Sequence, residues 1–233
     1  MRYRVLQKGA LIFGLLCTLL AVSFPAFARE GNRPQVYTDP QVYAIYSAVL
    51  PKVWLWTQLG ATNVAIMVET KAHKLCIPPD DSAKATAGPE NLSSALKQYD
   101  ATNQQPHILE RKLRISRDYT LIGRADLDAI LRHQTGAWDL FYEDHPGSDG
   151  WVQFSAVGFS DDKKTAVVYA AYHCGETCGG GAAYVLQSKG GTWQVTDTFP
   201  ETCGAPQAIE PMTGFNSPGH AIYVDWEVFA TGL

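Results

Sequence analysis

The sequence predicts an α+β fold in which N-terminal helices pack on a curved antiparallel β-meander sheet. Three observations carry that expectation. Residues 151–198 read as successive strands joined by turns too short for crossovers, which forces antiparallel order. Residues 40–50, and a second stretch opening at Pro89, place apolar side chains at helical spacing. Aromatic residues are plentiful in both regions, enough to fill the space between helix and sheet.

The elements follow in chain order. Residues 1–28 have the form of a secretory signal peptide: a basic start (Arg2, Arg4, Lys8), an apolar run over 10–20, and the cleavage triplet Ala26-Phe27-Ala28. Cys17 is preceded by bulky Leu16, not the small residue a lipoprotein signal needs, so it leaves with the signal. Residues 29–38 are polar and read as a flexible lead-in, and 39–233 as a single α+β domain. Asp39-Pro40 is a helix start, an N-cap followed by proline at the first helical position. Val42, Ile45, Tyr46 and Val49 then form one face, and Trp54 and Trp56 continue the packed chain.

Residues 63–70 have the β-branched content of a buried strand. Beyond the second helix, Arg111, Lys112 and Arg114 alternate with Leu109, Leu113 and Ile115, the pattern of a solvated face. A short strand at 119–122, a helix at 125–133, an aromatic stretch at 138–142 and a turn at 146–150 lead into the meander. Its strands are expected at 151–160, 165–173, 182–188 and 192–199. The second is apolar on both alternating faces and should be covered on each side. The run Gly179-Gly180-Gly181 reads as a turn requiring positive φ, and 221–229 as a possible edge strand.

Cleavage after Ala28 removes three of the 19 basic residues and none of the 23 acidic ones, leaving a net charge of −7. Such a chain is a poor match for nucleic acid or anionic lipid. It retains no apolar stretch long enough for a membrane anchor after cleavage. Localisation is therefore periplasmic or secreted.

Four cysteines remain: Cys76, Cys174, Cys178 and Cys203. An even number in an oxidising compartment points to two disulfides. Three connectivities are open. The glycine-containing turn favours Cys174–Cys178, which leaves Cys76 with Cys203 to close a long loop.

The segment FSAVGFSDDKKTAVVYAAYHCGETCGGGAAYVLQSKGGTWQV resembles a functionally uncharacterised family of exported bacterial proteins. Those proteins share an FSxVGF strand, a CGxxCGxG-like turn and a closing GxWxV strand. The resemblance is loose over 40–203 and more specific over 151–195. It implies export, a single domain and the strand reading, and it supplies no catalytic residue.

Candidate chemistry is sparse. Cys174 and Cys178 beside His173 have a spacing zinc can use, and a thiol nucleophile paired with His173 is conceivable. Neighbouring strand residues face opposite sides, however, and export favours oxidation. The spacing is also C-x3-C, not the C-x-x-C of redox pairs. No phosphate-loop, G-x-S-x-G or H-E-x-x-H motif occurs, so neither cofactor nor metal is expected.

The loop at 143–149 gathers Glu143, His145 and Asp149 beside Trp138, Tyr142 and Trp151, and is the candidate site for acid/base chemistry. His73, His107, His133 and His220 are isolated in sequence. The function expected from these readings is a non-catalytic binding module for an unknown protein or envelope ligand. The alternative is a hydrolase-type enzyme using the 143–149 loop.

Overall fold

The computed structural model describes residues 34–53, 61–75, 77, 80, 83, 85–133 and 136–200. Residues 1–28, read above as a signal peptide, and Cys76, Cys203, His220, Trp54, Trp56 and the 221–229 stretch lie outside the described residues.

Among the described residues there are four α-helices: α1 (Pro40–Val49), α2 (Pro89–Thr102), α3 (Arg124–Leu131) and α4 (Ala137–Asp144). The strands are β1 (Gln35–Val36), β2 (Asn63–Met67), β3 (His107–Ile108), β4 (Asp118–Ile122), β5 (Trp151–Phe154), β6 (Gly158–Phe159), β7 (Thr165–Gly175), β8 (Cys178–Lys189) and β9 (Thr192–Pro200). The fold is α+β, as expected. The main sheet runs β4-β2-β5-β7-β8-β9, with β6 also on β7.

The expected wholly antiparallel meander is corrected to a mixed sheet. β2 pairs in parallel with both β4 and β5, while β5, β7, β8 and β9 are antiparallel. The reason is connection length. Chain containing α2 separates β2 from β4, and α3 with α4 separates β4 from β5, which is enough for crossovers.

The N-cap expectation holds: the Asp39 carboxylate accepts from the Gln41 amide at 2.8 Å. The lead-in is more ordered than expected. Gln35–Val36 pairs in parallel with His107–Ile108, and the Tyr37 ring stacks on His107 at 4.3 Å.

Successive residues of the interior strands enter different apolar clusters. Val64, Ile66, Val152, Phe154, Ala166, Val168 and Ala170 join Ile45, Tyr46 and Val49 of α1. On the opposite side, Val167, Tyr169 and Val185 meet Leu92, Ala95 and Tyr99 of α2. Further along that side, Ala65, Met67 and Trp151 meet Leu127 of α3 and Phe141 of α4. Strands 63–67 and 165–170 are thus apolar on both faces because both are covered.

The strand expected over 151–160 is broken. Phe154 pairs with Ala170 and Gly158 with Val167, so three residues (155–157) oppose two on β7, a β-bulge. A buried bulge must satisfy its backbone elsewhere. Here Ser155 N–H donates to Tyr169 O at 2.9 Å, and Ser155 O accepts from the Tyr46 hydroxyl at 2.8 Å. Asn103, only 6% exposed, accepts from Ala156 N–H at 3.0 Å. Its amide nitrogen lies 2.9 Å from Tyr99 O and 3.3 Å from Ala156 O. The Tyr37 hydroxyl takes Val157 N–H at 3.3 Å.

One glycine expectation changes. Gly179–Gly181 is not a turn but lies in β8, where Gly179, Gly180 and Gly181 pair with His173, Tyr172 and Ala171. A Cβ at Gly181 would overlap the Tyr169 hydroxyl, so it is the neighbour's ring that requires glycine there. The chain reverses instead between Gly175 and Cys178.

Gly158 lies against the backbone of α2, where a Cβ would overlap Ala95 O and Tyr99 N. Gly158→Ala should therefore cost about 3 kcal/mol in urea unfolding, because neither backbone can yield. Gly190→Ala, at φ +60° with open space around it, should cost about 1 kcal/mol. Equal costs would contradict the direct helix–strand contact.

Candidate functional site

The loop after α4 is built by capping and by its seat on β2. His145 N–H donates to Phe141 O at 2.9 Å, and the Ser148 hydroxyl donates back to His145 O at 3.0 Å. Gly147 O accepts from Thr62 N–H and Asn63 N–H at 2.9 and 3.0 Å, which pins the turn to the start of β2. Gly147 has φ +77°, and a Cβ there would overlap the Thr62 hydroxyl.

The aromatic residues predicted to adjoin this loop do so. Trp138 stacks on Trp151 at 4.7 Å, and Trp151 on His173 at 5.1 Å, giving a three-ring stack. The Tyr142 hydroxyl donates to Cys174 O at 2.9 Å, with Asp149 O 3.4 Å away. That bond ties α4 to the end of the β7–β8 hairpin, where Cys174 and Cys178 form a disulfide with a Cα–Cα distance of 4.9 Å. Cys174 packs against the α1-side cluster while His173 stacks on Trp151, so the two side chains diverge. The thiol–imidazole pair does not form.

The predicted trio is distributed differently. Glu143 is exposed on α4, and His145 and Asp149 are half-buried. No hydrogen bond or ion pair joins the three among the described residues. His145 instead lines a cleft of about 450 Å³ together with Thr120, Leu121, Ile122, Asp126, Ala129, Ile130 and Asp144. Burial lowers the His145 pKa below the usual imidazole value, against the pull of Asp144 and Asp126. A neutral imidazole facing two carboxylates can accept or relay a proton, or accept a hydrogen bond.

Asp126 was not legible as part of this group. It sits on a different helix, and only the pairing of α3 with α4 brings it to His145. Among the described residues no three His, Cys, Asp or Glu side chains are placed to hold a metal ion.

The remaining histidines are largely structural. His73 stacks on Tyr169 at 3.6 Å, and His107 is buried against Tyr37. His133 is exposed. Among the described residues no helix is long and apolar enough to cross a membrane. No protein-family model matches the chain, and comparison with curated proteins and with solved structures finds no match.

His173 carries a pH consequence. Burial, reinforced by the Lys71 charge, lowers its pKa to about 4. The unfolded chain takes up a proton near pH 6.5 that the folded chain refuses until about pH 4. Stability should fall by up to about 3 kcal/mol as pH drops through that window, and level off below it. A His173→Phe variant, which keeps the stack, should lose this part of the acid limb in denaturant titrations at pH 7 to 4. An unchanged limb would contradict the assignment.

Proposed function

We propose that the chain is an exported, disulfide-stapled, non-catalytic binding module that takes a protein or envelope component in the cleft between β4 and helices α3 and α4. The observation that carries this reading is the cleft itself. It is an open groove with an apolar wall from Leu121, Ile122, Ala129 and Ile130, and a few polar groups, Thr120, Asp126, Asp144 and His145. The signal-peptide pattern of residues 1–28 and the Cys174–Cys178 bridge support an oxidising setting, the periplasm or the exterior. In this reading the N-terminal helices brace the sheet while its β4 side stays available.

The hydrolytic alternative draws on His145, whose lowered pKa suits a general base. It needs Glu143 and Asp149 to act with that imidazole, and neither is bonded to it. Binding is therefore the better-supported reading.

Ala129 is exposed on the cleft rim, so Ala129→Trp should fill the cleft without disturbing the core. Retention of the mature protein on immobilised envelope fractions should drop at least tenfold in this variant at unchanged Tm. Equal retention would contradict the site. Turnover of ester, peptide or glycoside substrates that disappears in His145→Ala would contradict the non-catalytic assignment.

A further inference from the structure

The cleft has a property that narrows its ligand. Thr120, Leu121 and Ile122 are consecutive, and all three line it. Consecutive strand residues point to opposite faces, so three in a row border a cleft only where it runs along the strand's edge. Among the described residues β4 is the terminal strand of the sheet.

The pleat decides which backbone groups face outward. Ile122 O accepts from Val68 N–H on the β2 side at 2.9 Å. The alternate residue, Leu121, therefore turns its N–H and C=O away from β2. Tyr119 has the same parity as Leu121, and its carbonyl is already taken by Arg111 Nη1 at 2.8 Å. The basic segment thus closes the start of this edge, and the open part begins after Tyr119.

The other wall carries two carboxylates. Asp126 and Asp144 both face the cleft, and among the described residues neither is in an ion pair. Asp144 ends α4, whose last turn contains no basic residue, so its carboxylate opposes the helix dipole. A cation placed there offsets that opposition, whereas Asp126, in the first turn of α3, is already favoured by its own helix. Among the described residues no three-ligand group is placed for a metal ion, and the cation taken here is organic. A free amine would leave the Leu121 amide and carbonyl unread, whereas a peptide backbone pairs with them.

We propose, on the basis of the binding reading above, that the cleft receives an extended peptide bearing a lysine or arginine. The peptide adds as a short strand along the outer edge of β4, and its cationic side chain lies between Asp126 and Asp144. The two recognition elements are separable. Leu121 reads main chain, and the two carboxylates read charge.

The test is fluorescence anisotropy with the mature protein and a labelled acetyl-Thr-Val-Lys-Val-Thr-amide probe. The probe should bind, and its Lys→Glu counterpart should bind at least tenfold more weakly. The same peptide with N-methylated main-chain nitrogens should also lose at least tenfold. Lysine amide at equal concentration should not compete. Asp126→Asn with Asp144→Asn should weaken the lysine probe at least tenfold at unchanged Tm. Leu121→Pro removes the outward N–H, together with a side chain packed on the α1-side cluster, and should weaken it while leaving the β2–β4 ladder intact.

Equal binding of the N-methylated peptide, or full competition by lysine amide, would overturn strand addition in favour of simple cation capture. Absence of probe binding alongside Ala129→Trp-sensitive envelope retention would overturn the peptide assignment and leave the cleft standing. Loss of both would overturn both.

Discussion

The structure depends on one buried irregularity, the bulge at residues 155–157. A regular strand would place its backbone groups in the ladder. The extra residue removes several from it, in a region with almost no access to water. Each such group would cost about 1–3 kcal/mol if left unpaired. The partners come from four separate parts of the chain: Tyr37 in the lead-in, Tyr46 on α1, Asn103 at the end of α2, and Tyr169 on β7. Satisfying the bulge therefore ties α1 on one side of the sheet and α2 on the other to the same point. Burial keeps the phenols protonated, with the Tyr37 pKa raised to about 12, so their hydrogen-bonding roles persist across the physiological range.

Asn103 is central to that arrangement. It caps α2 through Tyr99 O and clamps Ala156 through donor and acceptor together. Beside it, Gly158 lets the α2 backbone approach β6 without an intervening side chain. Helix α2 is thus located by polar bonds at its end and by steric closeness along its length. The Val167–Tyr99 cluster fills what remains.

Much of this was legible from local pattern. The Asp39-Pro40 cap and the alternation of β7 are written within a few residues of where they act. The Cys174–Cys178 bridge follows from a short turn in the same way. What was not legible depends on distant partners. The 155–157 break is an apolar stretch that continues the strand pattern, and only Asn103, far away in sequence, shows why it departs. The parallel placement of β2 depends on long connections, which short-turn reasoning does not address. Gly179–Gly181 carry a turn's composition but answer to Tyr169 and Tyr172 across the strand. The site divides similarly. His145 and its aromatic neighbours are close in sequence and were found together, whereas Asp126 and the β4 edge arrive through the sheet order.

The central claim is that the bulge is held by side chains and is closed to water unless the fold opens. Native-state hydrogen exchange at the Ala156 amide tests it most directly. In the wild type this amide should exchange only through global unfolding, with the same opening free energy as Val168 in the middle of β7. In Asn103→Ala it should exchange through a local opening well below the global value. Fast exchange of Ala156 in the wild type, or no change in the variant, would contradict the account.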